Sequence, residues 1–268
     1  MYTAKDMAKP TLIMIHGFRG THHGLALIAR RLEKDYTVIV PDLPGFAKGD
    51  KLEKHDLNGY VTWLEAFMKQ QSLKEKPLLL GHSFGSIVAS AYVAKHPRSV
   101  FKLLLVNPIG APALEGPQKV LTKLAVFYYR LGERLPERTG RWWLGMKPIV
   151  MVMSISMAKT KDRKLRAFIH DQHLRYFSQF HTAKSVMEGF ETSIGHTVGE
   201  FAKDIPVPTL IIAATLDDIT PLNKQYELLR LFPKASLATI DNVGHLTHYE
   251  TPGEVVRIIK KWLSPTKK

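Results

Sequence analysis

Short runs of consecutive apolar residues alternate with stretches of helical spacing over the first hundred residues. TLIMI at 11–15 is rich in β-branched residues and closes on His16-Gly17, which predicts a buried strand. Gly24–Leu32 reads as a helix, and YTVIV at 36–40 as a second strand stopped by Pro41-Asp42 and the Pro44-Gly45 turn. Leu57–Gln71 carries Val61, Leu64, Phe67 and Met68 at helical spacing. PLLL at 77–80, a helix over Phe84–His96 ended before Pro97, and KLLLV at 102–106 continue the alternation. Strands that are apolar at nearly every position belong to a parallel sheet covered on both faces.

The pattern changes from about Pro108 to Asp204, where helical spacing covers Lys119–Leu135, Ile149–Met157, Arg163–Phe180 and Ala183–Ile194. Alternation resumes with PTLIIAA at 208–214, Leu222–Leu231, SLATI at 236–240 and Glu254–Leu263. The expected organisation is an α/β core formed by 1–107 and 205–268. A helical cap over 108–204 splits it and is expected to cover one end of the sheet.

A chain of 268 residues fits one such unit. With no cysteine, disulfides and cysteine-based zinc or redox sites are excluded. MYTAKDMAKP lacks the apolar core of a signal peptide, and no uncharged run approaches the roughly 18 residues that span a bilayer, so a soluble, cytoplasmic protein is expected. The formal charge of +14 is uneven: Pro117 to Lys184 holds fourteen Lys/Arg against four Asp/Glu. Such a surface is either plain solvated polarity or a match for an acidic partner, an anionic lipid surface or an acidic carrier protein. No nucleic-acid-binding motif accompanies it, and nucleic acid is not an expected partner.

The strongest chemical signal is GHSFG at 81–85, between a strand and a helix. A serine alcohol is a poor nucleophile unless it is exposed beside a base, and a sharp strand-to-helix turn presents Ser83 in that way. The turn demands small residues two before and two after, supplied by Gly81 and Gly85. It also sets the Phe84 N–H at the positive end of a helix, where an oxyanion can be held. A second donor is expected from the loop after the first strand, where HGFRG at 16–20 offers the Phe18 N–H. His16 is expected to serve that loop as a structural hydrogen bonder. The base should follow the last strand, where NVGHLTHYE offers His245 ahead of His248. The acid should follow PTLIIAA, where Asp217 and Asp218 are adjacent, and these residues alone do not choose between them. Asp42 precedes the serine and fits a turn residue better.

HGFRG, PDLPGF, GHSFG, HPRSVFKLLLVNP, LDDITP and GHLTHYETP, in this order, resemble the motifs of the α/β-hydrolase superfamily over nearly everything outside 108–204. The resemblance implies the α/β-hydrolase fold, a mostly parallel sheet flanked by helices, with the cap inserted after the strand that follows the elbow helix. LDDITP aligns Asp217 with the acid of the family's Asp-x-Ile/Val-x-Pro loop. Two departures stand out: Ala47-Lys48-Gly49 where Gly-x-Gly-x-Ser often continues the PDLPGF turn, and Ser86 in place of a frequent glycine. Serine at the elbow separates the chain from relatives that use aspartate there, the haloalkane dehalogenases and epoxide hydrolases. What the resemblance implies is cofactor-free and metal-free hydrolysis through Ser83, His245 and Asp217, with Phe18 and Phe84 N–H groups holding the oxyanion. The expected substrate is a small-molecule carboxylic ester with a small-to-medium or lipid-like acyl group. Alternatives are C–C hydrolysis of ring-cleavage dienoates, hydrolysis of a carrier-bound ester or thioester, and a ligand receptor that keeps the triad. Arg138, Arg141 and Arg175 are candidates to grip a substrate carboxylate. Trp142-Trp143 and Met146, Met151, Met153 and Met157 offer cap surface for an acyl chain.

Overall fold

Alternate residues of β1 (Thr11–Ile15) serve two different cores. Leu12 and Met14 pack with α1 (His22–Leu32) and α11 (Pro252–Leu263) on one side, while Ile13 and Ile15 join the larger core on the other. The same division runs through β3 (Leu78–His82), β4 (Lys102–Val106) and β5 (Thr209–Ala214), where Leu80, Leu104 and Ile212 face one core and Leu79, Leu105 and Ile211 the other. Both faces are covered, which is why these strands read as continuous apolar runs and not as alternating ones. Each fully buried Leu or Ile contributes about 1.5–3 kcal/mol, so the paired cores hold the layers together. The computed structural model describes residues 9–112 and 119–264.

β2 (Thr37–Ile39) and β6 (Ala235–Ile240) complete a six-stranded sheet in the order β2-β1-β3-β4-β5-β6, every pairing parallel. α2 (Leu57–Gln70) and α3 (Phe84–Lys95) pack together, and α9 (Leu222–Leu229) lies against β5 and β6. β2 is shorter than the apolar run at 36–40 because Pro41 restrains the residue before it and has no N–H for the ladder. α1 starts two residues earlier than its apolar spacing predicts, because Thr21 caps it by accepting from the His23 N–H at 3.3 Å.

Between β4 and β5 lie α4 (Lys119–Arg134), α5 (Glu137–Leu144), α6 (Lys147–Met157), α7 (Arg163–Tyr176) and α8 (Ala183–Gly195). α5 falls in the stretch between Leu135 and Ile149, for which the apolar spacing predicts no helix. Pro136 stands at its N-cap, and Gly140 allows a close crossing, because a Cβ there would collide with the Gly132 carbonyl of α4. α7 ends at Tyr176, short of the expected Phe180. The chain leaves the helix to pair with the loop after β2: Ala47 N–H donates to the Gln179 carbonyl at 2.7 Å and His181 N–H to that of Gly45 at 2.9 Å. Ala47, one of the departures in that loop, takes φ +44°, so the turn closes without glycine at this position. No helix among the described residues is long and apolar enough to cross a membrane.

Candidate active site

Ser83 occupies the single residue between β3 and α3, with φ +52° and ψ −122°. Left-handed backbone is costly for a residue with a side chain and persists only where the surroundings impose it. Glycine is obligatory on both sides: a Cβ on Gly81 would strike the Gly85 carbonyl, and one on Gly85 would strike the carbonyls of Ile15 and His16. Ser86, fully buried, donates to the Ser83 carbonyl at 2.5 Å and accepts from the Ile109 N–H at 3.2 Å. The serine at this position thus adds a tie that glycine would lack.

The three residues expected to act together are brought together. The Ser83 Oγ lies 2.8 Å from His245 Nε2, and His245 Nδ1 lies 2.7 Å from Asp217 Oδ2. Asp217 is buried on the loop after β5. Its Oδ1 accepts from the N–H groups of Ile219 and Thr220 at 2.8 and 2.9 Å, and its Oδ2 also accepts from Asn107 Nδ2 and the Thr220 hydroxyl. Burial alone would raise its pKa; the adjacent His245 and the Thr220 hydrogen bonds outweigh that and hold the carboxyl well below the usual carboxylate range. A carboxylate so held keeps His245 Nδ1 protonated and Nε2 free to accept the serine proton. Asp218 turns outward and pairs with Lys159, which separates the two carboxylates the sequence left together.

Asn107, buried at the end of β4 with φ +46°, donates to Asp217 and accepts from the Thr247 hydroxyl at 2.7 Å. Sequence reasoning missed both residues. The available signal was an asparagine ending a strand, a type that tolerates the left-handed region. His248, on the short helix α10 (Thr247–Glu250), packs on His82 with ring centroids 4.3 Å apart and makes no hydrogen bond to Ser83 among the described residues. Burial pushes His82 down to about 3 and His248 well below its ordinary value, so both rings are uncharged at neutral pH.

The loop after β1 sits directly against the serine: a Cβ on Gly17 would meet the Ser83 Cβ at 3.2 Å. His16 organises it, with Nε2 accepting from the Leu43 N–H at 2.9 Å, so that Nδ1 carries the proton toward the Gly17 carbonyl at 2.9 Å. Phe18 and Phe84 line the same cavity as Ser83 and His245, and their rings meet edge to face at 6.5 Å. Among the described residues neither backbone N–H donates to a protein group. Asp42 accepts from the His22 N–H at 2.7 Å and pairs with its ring, consistent with a turn residue.

The cavity over Ser83 measures about 1140 Å³, slightly above the usual range for small-molecule sites. Tyr129, Phe177, Phe190 and Ile194 make its walls largely apolar, together with Met153 and Met157. Most of the other apolar residues singled out between 108 and 204 are elsewhere: Trp142 is exposed, and Trp143 packs on Tyr128. None of Arg138, Arg141 and Arg175 lines the cavity; Arg141 donates to the His181 carbonyl and Arg175 to Asp171. The arginine that does is Arg19.

A strand-turn-helix serine in a parallel sheet, hydrogen-bonded to a histidine from beyond the last strand, defines a class. The chain belongs to the alpha/beta hydrolase fold family, which it matches over residues 10–252. It is similar to Lipase 1 of Psychrobacter immobilis, 25% identical over 271 residues that cover 97% of this chain and 78% of that protein. It is also similar to the monoacylglycerol lipase ABHD6 of Mus musculus, 24% identical over 265 residues covering 96% and 76%. With relatives of this kind along nearly its whole length, the chain is an enzyme of the hydrolase type. Among solved structures, a thermophilic esterase from Thermogutta terrifontis superposes with a TM-score of 0.76 at 20% identity, over 95% of this chain and 90% of that one. The enol-lactonase from Burkholderia xenovorans LB400 gives 0.78 at 14%, over 97% and 93%. These two likenesses are of fold.

Proposed function

We propose that the chain is a carboxylic-ester hydrolase with Ser83 as nucleophile, His245 as general base and Asp217 as the acid, acting on a small-to-medium or lipid-like acyl ester. The observation that carries this reading is the unbroken line from Ser83 Oγ through His245 to Asp217, at 2.8 and 2.7 Å. In the proposed reaction Ser83 Oγ attacks the ester carbonyl carbon while His245 Nε2 takes its proton. The carbonyl oxygen becomes an oxyanion received by the Phe18 and Phe84 N–H groups, and Asp217 stabilises the imidazolium. His245 then protonates the departing alcohol. Water, deprotonated by the same nitrogen, clears the acyl-enzyme and regenerates Ser83. The segment 108–204 acts as a cap, a role supported by the contributions of α4, α6 and α7 to the cavity wall.

Two features favour a lipid-like acyl group. The cavity is large and mostly apolar, and α6 has no charged side chain from Pro148 to Met157 yet leaves Val152 67% and Ile155 48% exposed. Lys147 opens that helix, which suits contact with an anionic lipid surface. The C–C hydrolase alternative loses support, because the arginines it would use lie outside the cavity. The test is turnover of p-nitrophenyl esters from acetate to palmitate. Hydrolysis with an optimum between butyrate and laurate is expected; inactivity of folded protein across the whole series contradicts the reading.

A further inference from the structure

A buried cation needs something to replace its water, and a carboxylate is the usual replacement. Arg19 is 1% exposed, and among the described residues no Asp or Glu pairs with it. Its Nε donates to the Phe177 carbonyl at 2.9 Å, one terminal nitrogen to the Leu144 carbonyl at 2.7 Å, and the other to the Tyr129 hydroxyl at 3.3 Å. Leu144 is the last residue of α5 and Phe177 the residue that caps α7. Both carbonyls therefore stand at helix C-termini, where unsatisfied acceptors and the helix dipole concentrate negative charge. The rings of Phe177, Phe180 and Tyr129 surround the guanidinium carbon at 5.2, 5.5 and 5.9 Å. Two helix ends and three aromatic faces take the place of the missing carboxylate.

The backbone of the same residue belongs to the oxyanion loop. Gly17 to Gly20 form a turn closed by the Gly20 N–H on the Gly17 carbonyl at 3.0 Å, with Phe18 and Arg19 at its centre. Arg19 has φ +55°, a conformation that favours glycine and that an arginine holds only under outside constraint. The Phe18 ring is itself wedged edge to face against Phe46, Phe84 and Tyr129. One residue thus grips α4, α5 and α7 with its side chain and shapes the turn beside Ser83 with its backbone.

We propose that Arg19 is a positioning residue, a latch that ties the cap to the oxyanion loop so that the cavity roof and the Phe18 N–H hold one geometry. This rests on the assignment of the Phe18 N–H as an oxyanion donor. Lysine cannot substitute, because its compact ammonium lacks the rigid fork that meets two helix ends at once. Protein groups solvate the guanidinium only while α5 and α7 remain seated, so lifting the cap would break both helix-end contacts and release the turn.

Arg19→Gly is the informative variant, since glycine tolerates the left-handed backbone while the latch is deleted. Hydrogen exchange in the last turns of α5 and α7 and in residues 17–20 should quicken about tenfold or more. For p-nitrophenyl acetate, kcat of the folded variant should fall by about tenfold to a hundredfold while KM moves less than about twofold, as expected when a transition-state donor is mis-aimed. Arg19→Lys, which keeps the charge without the fork, should likewise fail to recover kcat, and it carries the same comparison if Arg19→Gly does not fold. Both changes are required: faster exchange with unchanged kcat, or lowered kcat with unchanged exchange, overturns the proposal. If the wild type hydrolyses no ester, the proposed function fails, and unchanged exchange in the variant still overturns the latch by itself.

Discussion

Acidification from pH 7 to pH 5 is expected to remove about 4 kcal/mol of folding stability through two histidines alone. Burial pushes His82 down to about 3 and His173 down to about 4, each with a histidine neighbour acting in the same direction. Unfolded, both titrate near the ordinary histidine value of about 6.5. Their folded pKa values are the lower ones, so below about 6.5 the unfolded chain binds protons that the folded chain refuses. Their full contribution is therefore present above pH 6.5 and is lost as pH falls toward 4 for His173 and toward 3 for His82. One proton is worth about 1.4 kcal/mol per pH unit, which gives about 2 kcal/mol for each histidine between pH 7 and 5. His248, buried against His82, acts in the same sense. Against a typical total of about 5–15 kcal/mol such a loss is large. Urea unfolding at pH 7, 6 and 5 measures it, and His173→Gln should reduce the decline by about one proton's worth. An unfolding free energy that stays flat from pH 7 to 5 would refute the burial argument.

The remaining predictions concern the acid and its support. Asp217→Asn should lower kcat by about a thousandfold or more, because Asn cannot hold the His245 tautomer, whereas Asp218→Asn should leave kcat within about twofold; steady-state kinetics on one ester separates them, and equal losses would contradict the assignment. Asn107→Ala leaves a buried Asp217 oxygen and the Thr247 hydroxyl each short of a partner, and should cost about 1–3 kcal/mol in urea unfolding together with a drop in kcat. Unchanged stability would show that water replaces the amide without loss.

The local motifs were legible because each depends on neighbours in sequence. Ser83 needs glycine at 81 and 85 and a strand before it, and all of these are contiguous. Each of the six strands matched an expected run to within two residues at either end; in β1, β3, β4 and β5 the reason is burial on both faces, which leaves little room for polar residues. What escaped depends on partners far along the chain. Asn107 is 110 residues from Asp217, and Arg19 is 158 from Phe177; nothing beside either residue announces its partner. α5 escaped for a related reason: Gly140 disfavours an isolated helix and is tolerated only because α4 crosses there. The choice between Asp217 and Asp218 required the resemblance, because adjacent carboxylates differ only in which way the loop turns them.

The most direct test of the central claim is the site of covalent modification by a fluorophosphonate probe, read by peptide mass spectrometry on wild type and on Ser83→Ala. The account predicts one adduct per chain on the Ser83 peptide, with no labelling of the folded variant. An adduct on another residue, or persistent labelling of folded Ser83→Ala, would contradict the assignment of Ser83 as the nucleophile.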